Sequence, residues 1–254
     1  MSSKDFMNIP AAPVLLITGA SRGIGAATAR LAAKRGFDVA VNYLQDRASA
    51  DAVVADVAAA GRRAVAVQAD MAHETDIERM FSTVDEKLGR LTHLVYNTGI
   101  IGPASRIDSL TTEDARAILT VNVLGAVIAA RAAIRRISTK HGGRGGAMVL
   151  LSSAMASLGG AGDYVMYSTS KGAIDTLTLG LARELAAEGI RVNAVAPGPI
   201  ATDIHPPGRL ERITPTVPLG RAGTAEEIAE AVVHLLSDAS SYTNGAILRV
   251  AGGR

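Results

Sequence analysis

The 254-residue chain contains no cysteine and no tryptophan, and it has only three phenylalanines and five tyrosines. Without cysteine it cannot form a disulfide, a thiolate metal site or a cysteine nucleophile. The shortage of aromatic side chains argues against a protein that reads nucleic acid by stacking on bases. Any chemistry must therefore fall to hydroxyl, amine, imidazole and carboxyl groups, and the core must be built mainly from aliphatic side chains.

Charge and hydropathy exclude further classes of protein. The chain has 26 basic and 24 acidic residues, for a net charge of +2, and no dense run of Lys or Arg. We therefore expect neither nucleic acid nor a membrane as a partner. No uninterrupted apolar run approaches the roughly 18 residues needed to cross a bilayer. Residues 1–10 have no apolar signal core, so we expect a cytoplasmic protein with a flexible lead-in over residues 1–13.

Short β-branched runs alternate with Ala-rich stretches along the chain, and the runs are apolar on both faces. This pattern is typical of parallel strands that are covered by helices on both sides. It predicts an α/β fold with one Rossmann-like, doubly wound, mostly parallel sheet of about seven strands, in a single domain over residues 14–254. The predicted strands are residues 14–18, 39–43, 64–69, 94–97, 146–151, 191–195 and 246–250. The predicted helices are residues 23–36, 48–61, 74–88, 112–139, 164–188 and 225–237.

The segment over residues 202–224 is long, irregular and rich in proline. A loop of that length in a compact domain is usually a lid or a binding loop, so we expect it to close over a substrate. Packing on its own core or on a neighbouring subunit is the alternative. The five histidines show no metal-ligand spacing, and we expect no metal site.

A glycine-rich segment, TGASRGIG at residues 18–25, follows the first predicted strand and opens the first predicted helix. Gly19 suits a tight turn, and Gly23 and Gly25 permit close approach of a pyrophosphate to the backbone. The helix N-terminus then presents free N–H groups to the phosphates. The same letters contain G-x-S-x-G, the nucleophile elbow of α/β-hydrolases, but that elbow normally follows several strands. A dinucleotide-binding turn is therefore the favoured interpretation.

Tyr167 and Lys171 are four residues apart at the start of a predicted helix, so they share one face. A nearby ammonium lowers the pKa of a phenol, which makes the pair a usable general acid/base. Ser153 ends the fifth predicted strand, where its hydroxyl could hold a substrate oxygen beside the phenol. Asn122 is a polar residue within an apolar helix, and a purely structural amide is the alternative there.

Together these motifs make the chain resemble the short-chain dehydrogenase/reductase family over residues 14–253. The resemblance implies that Tyr167 is the acid/base and that Lys171 holds the nicotinamide ribose and lowers the pKa of the phenol. It also implies that Ser153 orients the substrate oxygen and that Asn122 holds a water in the proton relay. The motifs that carry the resemblance are TGxxxGIG at 18–25, Asp70, NTG at 97–99, Asn122, Ser153, YxxxK at 167–171, PGPIAT at 197–202, PLGR at 218–221 and the final glycines at 252–253.

The resemblance also implies a nicotinamide dinucleotide site. Asp70 would bind the adenine amine, and Ile200 and Thr202 would contact the nicotinamide carboxamide and the phosphates. The full expected cofactor-binding set is Gly19, Ser21, Arg22, Gly23, Ile24, Gly25, Asn42, Tyr43, Asp70, Met71, Asn97, Thr98, Gly99, Tyr167, Lys171, Pro197, Gly198, Ile200 and Thr202.

Charge near the second predicted strand favours NADP(H) over NAD(H). NAD enzymes commonly carry an acidic residue at the end of that strand, but residues 41–44 read VNYL. Arg22 in the glycine turn can meet a 2′-phosphate instead, and Arg47 is a further candidate.

Two residues depart from the family's N-N-A-G motif, which reads Tyr96-Asn97-Thr98-Gly99 here. Thr98 adds a hydroxyl beside the cofactor that must find a partner. Tyr96 is bulky and could alter the packing at the end of the fourth strand. Tyr164 is a rival phenol, but it lacks a lysine four residues later.

We therefore expect a short-chain NADP(H)-dependent oxidoreductase that acts on a small-molecule carbonyl or secondary alcohol. Relatives of this kind include 3-oxoacyl-carrier-protein reductases and sugar or polyol dehydrogenases, and the motifs do not choose between them. The alternative is a regulatory protein that senses NADP without turnover. The resemblance further implies a homotetramer that assembles through the two long helices at residues 112–139 and 164–188.

Overall fold

The computed structural model describes residues 12–254, so all but the end of the expected lead-in lies outside the described residues. Seven strands form one sheet in the order β3-β2-β1-β4-β5-β6-β7, and every neighbouring pair is parallel. This confirms the predicted α/β fold and makes the sheet parallel throughout. The strands are β1 (Val14–Ile17), β2 (Asp38–Tyr43), β3 (Ala64–Gln68), β4 (His93–Tyr96), β5 (Gly146–Leu151), β6 (Ile190–Pro197) and β7 (Ile247–Val250).

The helices follow the predicted pattern, with two short additions at Met155–Leu158 and Arg209–Ile213. The second of these lies inside the segment predicted to be irregular at residues 202–224, which is therefore only partly a loop. The helices are α1 (Gly23–Lys34), α2 (Arg47–Ala59), α3 (Glu74–Leu88), α4 (Thr112–Leu119), α5 (Gly125–Ile137), α6 (Met155–Leu158), α7 (Val165–Leu185), α8 (Arg209–Ile213) and α9 (Ala225–Leu236).

Side chains of each strand point alternately into two separate cores. Leu16 lies in the core beneath α3, α5 and α7, whereas its neighbours Leu15 and Ile17 lie in the core beneath α1, α2 and α9. All three side chains are fully buried. Burial on both faces is the reason why these strands are apolar throughout rather than alternating.

The helix predicted over residues 112–139 is interrupted by a π-helical turn, Thr120–Leu124, which joins α4 to α5. By length and composition alone, the continuous helix Thr112–Ile137 could cross a membrane, with a mean hydropathy of 2.0 over its best 18 residues. Half of that window is buried inside the fold, and core helices pass the same test. A search for uninterrupted apolar runs does not identify this helix as a candidate span, because polar residues such as Thr120 and Asn122 interrupt its sequence.

The strand order reverses between β1 and β4, which are neighbours although β2 and β3 separate them in sequence. In open α/β sheets, the carboxyl ends of the strands on either side of such a reversal frame the ligand-binding crevice. The glycine turn follows β1, Asn97 follows β4, Ser153 follows β5 and Gly198 follows β6. The topology therefore brings the predicted motifs to one edge of the sheet.

Candidate active site

A cavity of about 430 Å³ opens at the carboxyl ends of the strands. Most of the expected catalytic and cofactor-binding residues line it, although they come from six separate parts of the chain. The expected residues that line the cavity are Gly19, Ser21, Arg22, Gly23, Ile24, Tyr43, Asn97, Thr98, Gly99, Ser153, Tyr167, Lys171, Pro197, Gly198, Ile200 and Thr202. The other expected residues do not line the cavity: Gly25, Asn42, Asp70, Met71 and Asn122.

The glycine turn has the geometry of a phosphate cradle. Gly19 and Gly23 adopt positive φ angles of 60° and 53°, which other residues rarely adopt. A Cβ atom on Gly25 would lie 2.5 Å from the carbonyl oxygen of Gly19. Among the described residues, no side chain caps the N-terminus of α1, so its first amides can bind an anion.

Asn42 holds the glycine turn from behind instead of facing the cavity. Its Oδ1 accepts a hydrogen bond from the amide of Gly19 at 2.9 Å, and its Nδ2 donates to the carbonyls of Val67 and Ala69 at 3.2 and 3.1 Å. The side chain is buried, and its amide group is already occupied by the backbone. The structure therefore gives Asn42 the part of a scaffold residue, which differs from the expected contact with the cofactor.

Asn97 ties the end of β4 to the same turn. Its Nδ2 donates to the carbonyls of Thr18 and Gly19, both at 2.9 Å. The hydroxyl of Thr18 accepts in turn from the amides of Asn97 and Thr98, both at 3.0 Å. These bonds join the two strands at the point where the sheet order reverses, so the cradle is rigid.

The extra hydroxyl of Thr98 is buried in the cavity wall beside Gly19. Within the described part of the chain, its Oγ1 has no hydrogen-bond partner. A buried hydroxyl without a partner is costly, and a polar ligand that occupies the cavity would satisfy it. The free amides of α1, the close glycine backbone and this hydroxyl together fit a nicotinamide dinucleotide.

Tyr167 and Lys171 lie on the first turns of α7, and both are buried. Lys171 Nζ donates to the carbonyl of Leu151 at 2.6 Å and lies 5.8 Å from the centre of the Tyr167 ring. The carbonyl at the end of β5 thus anchors the ammonium beside the phenol. The hydroxyl of Ser153 accepts from the amide of Met155 at 3.1 Å, which directs it toward the same place.

Burial dominates the ionisation of this pair. It raises the pKa of Tyr167, while the side chains of Ser153 and Arg209 act in the opposite direction. Burial also lowers the pKa of Lys171 to about 8, partly opposed by the carboxylate of Asp175. Desolvation therefore outweighs the opposing influences of Ser153 and Arg209 on the phenol, and the expected effect of Lys171 on its pKa stays a prediction.

Asn122 lies in the π-helical turn and anchors the loop that follows β4. Its Oδ1 accepts from the amide of Ile100 at 2.8 Å, and its Nδ2 donates to the carbonyl of Ile100 at 2.9 Å and to Ser170 Oγ at 3.0 Å. The Ser170 hydroxyl donates to the carbonyl of Tyr167 at 2.7 Å. Asn122 therefore links the loop after β4 to α7, and its expected role in a water relay stays a prediction.

Tyr96, the bulkier of the two departures, supports the turn that carries Asn122. Its phenol donates to the carbonyl of Val121 at 2.5 Å, and its side chain is fully buried. Burial raises the pKa of Tyr96, so the phenol stays protonated and acts as a donor. The space for the phenol exists because residue 125 is glycine, where a Cβ atom would lie 2.5 Å from the Tyr96 oxygen.

Arg22 lies exposed at the mouth of the cavity, close to Asp46. The carboxylate of Asp46 accepts from the amide of Ser49 at 2.9 Å and caps α2. Hydrogen bonds from Ser49 are the main reason why the pKa of Asp46 is lowered, and the charge of Arg22 adds to them. The sequence argument missed this carboxylate because it lies three residues after β2. Arg47, the other candidate, forms a 2.8 Å ion pair with Asp51.

Asp70 and Met71 lie beside the cavity without lining it. Asp70 Oδ1 accepts from the amide of Ala72 at 2.8 Å, and its side chain is half-buried. Met71 is buried in the core beneath α3, α5 and α7. The expected contact of Asp70 with adenine stays a prediction.

Several cavity residues were not identified as site residues from sequence. They come mainly from the loop after β4, the turn after β5 and the segment at residues 202–224. Apart from Pro199, these residues lie outside the motifs that carry the resemblance, and their side chains meet only in the fold. They include Leu44, Gln45, Ile100, Ile101, Ser152, Ala154, Met155, Leu158, Pro199, Asp203, Ile204, His205, Arg209, Ile213 and Arg254.

Comparisons with known proteins agree with this geometry. A family model described as enoyl-(acyl carrier protein) reductase matches residues 19–254. The Escherichia coli protein named uncharacterized oxidoreductase YgfF is 45% identical over 95% of this chain and 99% of its own length. A 3-oxoacyl-[acyl-carrier-protein] reductase from Synechocystis is 37% identical over 95% of this chain and 96% of its own.

A solved structure extends the similarity to the fold. It is a short chain dehydrogenase from Burkholderia cenocepacia in complex with NADP, with a TM-score of 0.89 and 37% sequence identity. The match covers 95% of this chain and 97% of that one.

Proposed function

The chain belongs to the short-chain dehydrogenase/reductase family, and we propose that it is an NADP(H)-dependent carbonyl reductase or alcohol dehydrogenase. It is an oxidoreductase of carbonyl and CH–OH groups with a nicotinamide cofactor. The choice of NADP(H), the roles of individual residues and the substrate are the proposal. The observation that carries it is the meeting of Ser153, Tyr167 and Lys171 in the cavity beneath the phosphate cradle.

The chemistry divides between the cofactor and the protein. The nicotinamide supplies or accepts the hydride at the reacting carbon. Ser153 positions the substrate oxygen, and Tyr167 gives its phenolic proton to that oxygen during reduction or takes it during oxidation. The ammonium of Lys171, held by the carbonyl of Leu151, stabilises the phenolate that forms when the proton leaves.

Arg22 supports the choice of NADP(H). A guanidinium at the mouth of the cavity can bind a 2′-phosphate through paired charge-assisted hydrogen bonds. Asp46 opposes that choice less than a carboxylate usually would, because its oxygens already cap α2. The structural relative from Burkholderia cenocepacia carries NADP, which agrees with this assignment.

The test is a panel of ketones, 3-oxoacyl thioesters and sugars with NADPH, and of alcohols with NADP, followed by absorbance of the reduced cofactor. We expect turnover of at least one carbonyl, with kcat/KM higher for NADPH than for NADH. Because the Synechocystis relative is named a 3-oxoacyl-[acyl-carrier-protein] reductase, we test 3-oxoacyl thioesters first. Cofactor binding without turnover of any compound would instead support the NADP-sensing alternative.

We also propose a homotetramer, with the helix at residues 112–137 and α7 in its interfaces. Leu124 and Val127 are exposed apolar side chains on the first of these helices, and Leu179 is one on α7. Exposed apolar side chains on long helices are typical of subunit interfaces. Light scattering tests this assembly directly, and a monomer at assay concentrations would contradict it.

A further inference from the structure

Arg209, at the start of α8, is a buried cation in the wall of the candidate active site. It is only 9% exposed and lines the cavity together with Tyr167. Within residues 12–254 no carboxylate lies within ion-pair distance of its guanidinium. The arginines at positions 212 and 221 of the same segment do have such partners, Asp163 and Glu227. Arg209 is therefore the member of this group without a counter-charge.

The contacts that Arg209 does make leave its charge uncompensated. Its Nη1 donates to His205 Nδ1, and His205 Nε2 lies 2.9 Å from the carbonyl of Ile200. Because arginine can only donate, Nδ1 is the acceptor, so the imidazole is neutral and points its own N–H at Ile200. Burial and the charge of Arg209 both lower the pKa of His205, which keeps the ring neutral.

Most of the hydrogen-bonding capacity of the guanidinium is unused. Its carbon lies 4.7 Å from the centre of the Tyr164 ring, which supports one face of the group. Its Nε is buried and has no partner among the described residues. A guanidinium carries five N–H donors in a fork that matches a carboxylate, and Arg209 commits one of them to His205.

The surroundings of Arg209 make an anionic ligand the natural partner. Part of the cavity lining is apolar, with Ile101, Met155 and Ile204 among its residues, and the carboxylate of Asp203, which also lines the cavity, forms no ion pair with Arg209 among the described residues. A buried charge in such surroundings is costly unless an opposite charge pairs with it. Arg209 and Tyr167 line the same cavity, so an anion bound to Arg209 would share that cavity with the reacting oxygen.

We propose that the substrate of this enzyme carries a carboxylate close to its reacting carbonyl or hydroxyl, and that Arg209 binds that carboxylate. This inference rests on the proposed function and narrows its substrate class to oxo acids and their hydroxy-acid products. His205 holds the guanidinium in place, and Tyr164 supports it from below. Arg209 thus sets the orientation of the substrate, while Ser153 and Tyr167 act on the oxygen at its other end.

The test uses matched pairs of ketones that differ only in charge. The full-length enzyme is assayed with NADPH and 3-oxobutanoate, 4-oxopentanoate or 5-oxohexanoate, each against its own methyl ester. We expect kcat/KM for the acid of best length to exceed that of its ester by about 10-fold or more. Arg209→Met should lower that ratio by about 10- to 100-fold, and Arg209→Lys should keep part of it because the charge remains.

Arg221→Gln is the matched control. It removes the same charge from the same segment, but Arg221 faces Glu227 at 2.6 Å on the surface. We expect the ratio of acid to ester to stay within about threefold of the wild-type value. Pentanoate and pentanamide, which have no ketone, provide a measurement on the wild-type protein alone, and pentanoate should be the stronger inhibitor against the oxo acid.

The outcomes separate the two proposals. Turnover of the esters and acids at equal rates, with equal inhibition by pentanoate and pentanamide, would overturn the role of Arg209 and leave the reductase intact. Equal losses for acid and ester in Arg209→Met, accompanied by a change of oligomeric state, would overturn it in favour of a pairing between subunits. If no carbonyl compound oxidises NADPH, the proposed function itself fails.

Discussion

The two ends of the cavity differ in the groups that form them, which are backbone groups at one end and side chains at the other. The cofactor end is mostly backbone: the glycine turn, the amides at the start of α1, the Gly19 amide that Asn42 holds and the Gly19 carbonyl that Asn97 holds. The substrate end is mostly side chains, and one of them, the buried Arg209, comes from a segment outside the sheet. The phenol of Tyr167 lies where the two ends meet.

The difference reflects what each end must recognise. A dinucleotide is always the same ligand, so a rigid backbone cradle at the reversal of the strand order serves every substrate. The substrate varies between relatives, and side chains on a peripheral segment can change without disturbing the sheet. Sequence motifs therefore mark the cofactor end, whereas charge and burial mark the substrate end.

Substitution at the junction should have the largest effect. Tyr167→Phe removes the phenolic proton while keeping the ring, so we expect turnover to fall by about 10³-fold or more with little change in NADPH binding. Steady-state kinetics and fluorescence titration with NADPH measure the two quantities. Tyr164→Phe keeps the ring beneath Arg209 and should lose less than about tenfold. Equal losses in the two variants would move the acid/base role to the rival phenol.

Crowding the backbone cradle should come next in size. Gly25→Ala places a Cβ atom 2.5 Å from the carbonyl of Gly19 and 2.8 Å from Asn97 Nδ2, so the turn must shift. We expect the affinity for NADPH to fall by about 100-fold, together with a loss of stability of about 1–3 kcal/mol.

Gly61→Ala separates this effect from a general loss of stability. Gly61 has a φ of 76°, which strains any other residue, but a Cβ atom there meets nothing within 4 Å. This variant should be destabilised while its affinity for NADPH stays unchanged. Equal loss of affinity in both variants would show that the cofactor end is not set by the close approach at Gly25.

A substitution at the mouth of the cavity should have a smaller effect, and it should lower kcat/KM for NADPH but not for NADH. Arg22→Gln removes the guanidinium proposed to bind the 2′-phosphate, so kcat/KM with NADPH should fall by about 10- to 100-fold. The value with NADH should change little. Arg30→Gln is the control, because Arg30 lies on α1, the helix that Arg22 precedes, but pairs with Asp56 on the surface. A parallel loss with both cofactors would remove Arg22 from the discrimination.

The smallest effect on activity is expected for a substitution at Tyr96, which does not line the cavity. Tyr96→Phe leaves the carbonyl of Val121 without its buried donor, which should cost about 1–3 kcal/mol of unfolding free energy. Because Asn122 lies next in the same turn, kcat should fall by a few fold with KM nearly unchanged. Chemical denaturation and kinetics check this, with the fully exposed Tyr242→Phe as the matched control. If kcat is unchanged in Tyr96→Phe, Tyr96 contributes to stability only and does not position Asn122.

The pattern of apolar residues in the sequence predicted most of the strands and helices. Each predicted strand ends within two residues of its position in the structure, because runs apolar on both faces have few alternatives to a covered parallel strand. The π-helical turn at Asn122 was not predicted, and its carbonyl at Val121 accepts a hydrogen bond from Tyr96, a residue of β4 that is distant in sequence. Helix α8 was also missed, since prolines on both sides of it masked a helix of only five residues.

Local sequence by itself determined the features that depend on backbone freedom and on period. The order of strands and helices, the positive φ angles of Gly19 and Gly23, and the spacing of Tyr167 and Lys171 on one helical face all follow from neighbouring residues. Tertiary structure decided what distant side chains do to one another. It gave Asn42 the role of a scaffold residue and made burial outweigh the opposing influences of Ser153 and Arg209 on the pKa of Tyr167. Among the described residues, it also left Arg209 without a counter-charge. Desolvation and pairing depend on which groups share a space, and only the complete fold assigns that.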